Sequence, residues 1–225
     1  MKAELIEKNH ESKDIVSFIF KPAETLKWKA GQFIYYKLPH KDPDNRGIIR
    51  HFTISSAPHE GNIRLTTKFA YNRGSSFKKA LLGLEPGDEL EVFAQEGDLI
   101  VEDPGHKKIF IAGGIGITPY RAILLDLAYK REVNDILLFY GTDKDNIAFK
   151  HLLEEVSSKN PGLSVEYVFS PERIDYELLE SKVEDLKDRL FLISGPMMMI
   201  KKIRDSIMEG GIEEHKIKTD YFSGY

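Results

Sequence analysis

Ile109-Phe-Ile-Ala-Gly-Gly-Ile-Gly-Ile-Thr-Pro119 is the stretch on which the reading of the chain turns. Residues 109–112 have the length and apolar composition of a buried strand, and they run straight into glycines. Thr118 suits a helix N-cap and Pro119 the first helical position. Tyr120, Ile123, Leu124, Leu127 and Ala128 then fall on one helical face. A strand, a glycine loop and a helix in that order offer free backbone N–H groups at the positive end of a helix dipole, where an anion can bind. No Gly-Lys-Ser/Thr follows, so the loop is not a Walker A motif. Pro119 also stands where the dinucleotide fingerprint has its third glycine. Taken alone, the stretch is compatible both with phosphate binding and with an ordinary tight turn.

The alternation continues toward the C-terminus. Strands are predicted over 136–140, 164–169, 190–193 and 216–222, with helices over 148–156, 176–186 and 197–208. Alternating strands and helices imply a mostly parallel sheet with helices on both faces. Toward the N-terminus the period changes. Runs over 14–20, 32–38, 48–55, 63–69 and 88–93 are short, rich in β-branched and aromatic residues, and bounded by Gly, Pro, Asn or Asp. Pro86-Gly87 fits the centre of a type II turn. One helix is expected over 75–82. This half reads as an antiparallel Greek-key β-barrel. Asp103-Pro104-Gly105 separates two predicted domains, 1–103 and 106–225.

Composition limits the function. Net charge is −4, spread over both halves, so no basic stripe exists to follow a nucleic acid backbone. The chain has no cysteine, which excludes disulfides, a thiol nucleophile and a cysteine-held iron–sulfur cluster within it. Redox chemistry would have to come from a bound cofactor. The first residues are too charged for a signal peptide. The most apolar stretch, 191–200, is too short for a membrane span and is interrupted by Gly195-Pro196. A soluble cytoplasmic protein is expected.

Two further segments carry anion-binding chemistry. Asn72-Arg-Gly-Ser-Ser-Phe77 precedes the predicted helix of the first half. Gly74 there permits close approach, and Ser75 and Ser76 supply a cap and a hydroxyl. In Arg50-His-Phe-Thr-Ile-Ser55 an extended strand sends Arg50, Phe52 and Ile54 one way and His51, Thr53 and Ser55 the other. A guanidinium, an aromatic ring and a hydroxyl within four residues suit a flavin. Each segment alone reads equally as a capped helix or an amphipathic barrel strand. Two anion sites in different domains suggest two phosphorylated cofactors facing one another.

Six segments together resemble the ferredoxin–NADP⁺ reductase superfamily. Arg50-His-Phe-Thr is similar to its Arg-x-Tyr/Phe-Ser/Thr signature, and Arg73-Gly74-Ser75-Ser76 to its pyrophosphate turn. Leu84-Glu-Pro-Gly-Asp88 resembles the turn before the late barrel strand, and Gly113 to Pro119 the nucleotide loop. Ser194-Gly195-Pro196-Met197 is similar to the Cys-Gly-Pro segment, and Asp220-Tyr-Phe222 to the acidic-x-aromatic ending. The resemblance implies that Arg50 binds the flavin pyrophosphate, Phe52 packs on the isoalloxazine and Thr53 places a hydroxyl near its reactive edge. Gly74, Ser75 and Ser76 would contact the pyrophosphate; His51 and Lys68 are further candidate cofactor-binding residues. Gly113, Gly114, Gly116, Thr118 and Pro119 would hold the nicotinamide nucleotide, facing Gly195, Pro196 and Met197 at the topological switch point. Ser194 stands where cysteine is frequent, and Ala94-Gln-Glu-Gly97 departs from the usual Gly-Pro-x-Gly. Phe222, by position, or Tyr225 would cover the flavin.

The implied reaction passes hydride from NADH or NADPH to FAD, with FMN as the alternative flavin. Asp143, after the strand at 136–140, would accept hydrogen bonds from the adenosine ribose and favour NADH, whereas Lys144 would favour a 2′-phosphate. Thr53, Ser194 and Phe222 are the candidate residues at the reacting centre. The expected acceptor is a separate redox partner protein. The alternatives are a small molecule such as a quinone or ferric chelate, and a nucleotide-binding subunit with no turnover.

Overall fold

The computed structural model describes residues 1–69, 74–133 and 135–222, except for the side chain of Phe222. Its first half holds β1 (Lys2–His10), β2 (Ile15–Pro22), β3 (Phe33–Lys37), β4 (Ile49–Thr53), β5 (Ile63–Lys68) and β6 (Glu89–Glu96), with α1 (Ser76–Gly83) between β5 and β6. These strands form one antiparallel sheet in the order β4-β3-β6-β1-β2-β5. The sheet curls until its edges meet. Ile54 bridges Leu65, and Ser55 N–H donates to the Arg64 carbonyl at 2.8 Å, so the predicted barrel closes at that corner. Strand alternation fills the interior with Leu5, Phe18, Phe20, Ile34, Tyr36, Phe52, Leu65 and Val92. The helix α1 lays Phe77 and Leu81 on this core, both fully buried.

The first strand was not among the sequence expectations. Only Ala3 and Leu5 of β1 face the core, and the intervening charges give it the look of a solvated terminus. It nevertheless sits mid-sheet, paired to β2 and β6, because the barrel needs a backbone there more than it needs apolar side chains.

The second half holds β7 (Lys108–Gly113), α2 (Thr118–Lys130), β8 (Ile136–Thr142), α3 (Lys150–Lys159), β9 (Leu163–Phe169), α4 (Tyr176–Lys182), β10 (Leu190–Pro196), α5 (Met197–Glu209) and β11 (Ile217–Phe222). All pairings are parallel, in the order β11-β10-β7-β8-β9. Alternate residues divide between two cores. Phe110, Ala112, Leu138 and Tyr140 meet α2 and α3, while Ile109, Ile111, Phe191 and Ile193 meet α4 and α5. The chain runs from β7 to β8 and β9, then returns to β10 on the other flank of β7. The switch point therefore lies between the C-terminal ends of β7 and β10.

The two sheets share a packed seam. Ile15, Ala30 and Leu99 belong to the same core as Ile123 and Leu127 of α2. Arg121 of α2 donates to the Ser55 carbonyl (2.7 Å) and, through both terminal nitrogens, to Glu60 (2.8 and 3.0 Å). His59 stacks on Tyr129 with ring centroids 4.2 Å apart. Asn146 accepts from Ser12 and from the Asp14 N–H, and donates to the Asp14 carboxylate.

Two local expectations are corrected. Thr118 is not an N-cap. Residues 114–117 form a 3-10 turn that runs directly into α2, Ile117 occupies the cap, and the Thr118 hydroxyl donates to Ile115 O at 3.0 Å. The helix expected over 176–186 stops at Lys182, and a separate 3-10 turn follows at Leu186–Asp188.

Candidate functional site

The nucleotide half is built at the switch point. A cleft of about 480 Å³ is lined by Gly113, Gly114, Gly141, Asp143, Arg173, Pro196, Met198, Met199 and Lys202, with Ile15 and Lys68 reaching it from the barrel. Gly114 has φ +51°, and a Cβ there would meet nothing within 4 Å, so the backbone presents itself openly to a ligand. Gly116 does different work. A Cβ there would collide with the Ser194 carbonyl, so this glycine lets the 3-10 turn lie on β10 rather than approach a cofactor. Thr118 is 2% exposed, and Pro119 is buried with it in the helix start.

Gly195 and Pro196 end β10 opposite Gly113. Met197, predicted to line this side, is 51% exposed and lies outside the cleft wall. It starts α5, and the helical turn carries Met198 and Met199 inward instead. Asp143 is in the cleft, 4.0 Å from Lys68 across the domain seam. Lys144 points elsewhere, its ammonium 5.7 Å from the centroid of Phe169. Arg173 and Lys202 were not foreseen. Lys202 lies one turn beyond Met198 on the helix predicted over 197–208, a spacing the sequence offered but no motif marked.

In the barrel, Arg50 and Phe52 point inward, as strand alternation requires. Arg50 is 3% exposed and donates to the carbonyls of Arg46 (2.7 Å), Gly47 (3.1 Å) and Ile49 (2.6 Å). Its second terminal nitrogen meets Asp44 at 3.1 Å, and its carbon lies over the Phe77 ring at 5.6 Å. Phe52 is 9% exposed, between Tyr36 and Phe77. His51 turns outward onto Phe33 and Tyr35, and burial holds its imidazole pKa down.

The N-terminus of α1 lies beside Arg50. Ser75 caps the helix by accepting from Lys78 N–H, and Ser76 N–H donates to Asp44 (3.1 Å). Arg46 also donates to Asp44 (2.8 Å), and these hydrogen bonds hold the Asp44 carboxyl well below the usual range. Ser76 Oγ accepts from Asp44 N–H and meets His40. A cavity of about 710 Å³ opens here, lined by His40, Asp44, Arg46, Gly74 and Ser76. Two guanidiniums and a helix N–H thus converge on one oxyanion position, now held by a side-chain carboxylate. That donor set fits a flavin phosphate. Asn72 and Arg73 of the same turn lie outside the described residues.

Thr53 Oγ1 and Ser194 Oγ are buried with no hydrogen-bond partner among the described residues. A buried hydroxyl normally finds a partner, so each suits a polar ligand atom. Beside Ser194 in the parallel register lies Asp220, whose carboxyl is pushed up to about 6 by burial. The sequence reading quoted Asp220 only as part of an ending. Phe222 closes β11 next to Pro196, its side chain undescribed, and Tyr225 lies outside the described residues.

These features meet in known proteins. Residues 2–99 match the family of oxidoreductase FAD-binding domains, and residues 110–205 match that of oxidoreductase NAD-binding domains. A flavohemoprotein of Halalkalibacterium halodurans is 26% identical over 96% of this chain and 58% of its own length. The chain thus spans little more than half of that relative. The flavohem-like FAD/NAD-binding domain of a nitric oxide dioxygenase from Vibrio cholerae superposes with TM-score 0.85 at 21% identity, covering 98% of both chains. The ferredoxin–NADP⁺ reductase of Plasmodium falciparum gives 0.81 at 19% identity, over 98% of this chain and 95% of that one. The chain is therefore built as an oxidoreductase FAD-binding domain followed by an oxidoreductase NAD-binding domain, in a fold shared with the ferredoxin–NADP⁺ reductase. No helix among the described residues is long and apolar enough to cross a membrane.

Proposed function

We propose that this chain takes hydride from a nicotinamide nucleotide onto FAD and delivers electrons to a separate acceptor. The observation that carries the reading is the pair of ligand-sized openings, the donors of Arg46, Arg50 and Ser76 N–H converging at the α1 N-terminus and the glycine-lined cleft at the switch point. The flavin supplies hydride acceptance and release as electrons, which no side chain here can do. Residues 1–103 would hold the flavin. Arg50, Arg46, Gly74 and the α1 N-terminus at Ser75 and Ser76 bind its phosphates, and Thr53 directs a hydroxyl to the ring. The contact of Phe52 with the isoalloxazine rests on the family motif alone. Residues 106–225 would hold the nucleotide, with Gly113 and Gly114 beneath the pyrophosphate and Gly195 and Pro196 bordering the nicotinamide. Ser194 orients the nicotinamide, and the packed seam excludes water and fixes the mutual position of the two rings.

The acceptor in this reading is a haem protein or haem domain, suggested by the relatives that are named flavohemoproteins. The missing cysteines place any thiolate-held cluster outside these 225 residues. For the nucleotide we propose NADH, on Asp143 as acceptor for the ribose hydroxyls. The same cleft carries Lys68, Arg173 and Lys202, so its charge does not repel a 2′-phosphate and the choice rests on that carboxylate. The test is the absorption spectrum of the purified protein before and after each nucleotide under anaerobic conditions. A flavin band that bleaches supports the proposal, and a protein that retains no flavin even after reconstitution refutes it. Reoxidation by a haem protein, but not by quinones or ferric chelates, separates the two acceptor classes.

A further inference from the structure

The chain has five methionines and no cysteine, and three of the five are consecutive, Met197-Met198-Met199. All peroxide-reactive sulfur in this chain is therefore thioether, and two of the five thioethers, Met198 and Met199, line the nucleotide cleft. Met198 is 64% exposed and lines the cleft. Met199 is partly exposed and lies deeper. A Cβ added at Gly113 would run into its sulfur, and one at Gly195 would stand 2.7 Å from its methyl carbon. The thioether of Met199 therefore rests on both glycine backbones that flank the switch point, with the cleft on its other side.

We propose that Met199 is a reversible oxidation site through which peroxide closes the nucleotide cleft, a proposal that rests on the nucleotide reading of that cleft. The sulfur attacks one oxygen of hydrogen peroxide. An S–O bond forms as the O–O bond breaks, the proton on the bound oxygen passes to the departing one, and water leaves. The thioether is oxidised by two electrons and the peroxide is reduced by two. The new oxygen has no room toward Gly113 or Gly195, because the sulfur already packs against them. It must project into the cleft, or the side chain must leave its seat. Either way a soft apolar wall becomes a polar, negatively polarised one where phosphate oxygens pass.

The experiment treats the flavin-loaded protein with graded hydrogen peroxide, maps each methionine by peptide mass, and measures Kd for NAD⁺ and NADP⁺ by calorimetry. The expected result is a Kd that rises roughly tenfold or more in step with Met199 sulfoxide and returns after methionine sulfoxide reductase treatment. Met199→Leu is compared with itself before and after peroxide and should show no shift, while Met208→Leu, on the far turn of α5, should respond as the parent does. The proposal is overturned if Kd is unmoved with Met199 oxidised, if Met199→Leu shifts as much as the parent, or if Met199 stays reduced where Met198 is fully converted. Untreated protein that binds neither nucleotide overturns the cleft reading, and this proposal with it. Intact binding unmoved by Met199 oxidation overturns this proposal alone.

Discussion

Replacing Arg121 with methionine should show how far the two sheets depend on one another. The Arg121 side chain is 5% exposed and makes three charge-assisted hydrogen bonds, one to Ser55 O and two to Glu60, at 2.7 to 3.0 Å. Its guanidinium carbon also lies 5.4 Å from the Phe149 ring centroid. Methionine keeps the stem's packing and removes the charge. Glu60, whose side chain is 27% exposed, then retains the Ala57 N–H but loses its cation. Breaking one partner of such a pair costs about 3–5 kcal/mol. For a chain of this size each kcal/mol is worth about 2–4 °C, so the melting midpoint should fall by roughly 6–20 °C. The double variant Arg121→Met/Glu60→Gln should recover part of that loss, because it removes the stranded charge.

The pH dependence carries a second signature. Burial raises the Glu60 pKa, and the Arg121 hydrogen bond and charge more than offset this, so the folded value lies below the ordinary one. A depressed carboxyl contributes stability above its unfolded pKa and loses it as pH falls through the folded pKa. In Arg121→Met only the upward push of burial and weaker partners remain, so the Glu60 acid limb should flatten and the variant's deficit against the parent should shrink as pH falls. Melting followed by circular dichroism from pH 4 to pH 8, with released flavin recorded in parallel, reads both effects. A loss below about 1 kcal/mol, with an unchanged acid limb, would place this pair among ordinary surface ion pairs and refute the clamp.

Asp44→Asn should tighten flavin binding, on the order of tenfold, because a carboxylate no longer holds the donors Arg46, Arg50 and Ser76 N–H against a phosphate. Flavin titration of the apoprotein checks this, and weaker binding would show that Asp44 instead orients the arginines. Asp220 has a raised folded pKa of about 6, so the native state holds the extra proton and stability should fall as pH climbs from about 4 to 6. Asp220→Asn should flatten that limb and stabilise the protein at pH 8 by up to about 3 kcal/mol, read by urea melts at several pH values. Asp143→Asn should bring the kcat/KM ratio of NADH to NADPH toward one without changing flavin content. A parent preference for NADPH of roughly tenfold, about 1.4 kcal/mol, would rule out Asp143 as the selector.

What could be read without a structure follows from where each residue's partners lie along the chain. The barrel strands, the α/β alternation and the glycine loop are local patterns, and the periods of two and 3.6 residues carry them directly. β1 escaped because only Ala3 and Leu5 mark its inner face. The nucleotide cleft was half legible: Gly113, Gly114 and Pro196 announced themselves by type, but Arg173 and Lys202 joined them only through the return of β10 to the flank of β7. Asp44 was invisible for a different reason. A lone acid in a loop has no signature, and its importance arises from Arg50 and Ser76, which reach it from a strand and from a helix 32 residues away. Nothing local marks Arg121 on α2, and its acceptors Ser55 and Glu60 lie some sixty residues earlier, in the segment after β4. Local chemistry thus announces the groups that would meet the cofactors. The groups that hold those in place act across sequence distance, so only the fold reveals them. Substitutions at Arg121 and Asp44 should therefore change cofactor behaviour from positions that no cofactor motif includes.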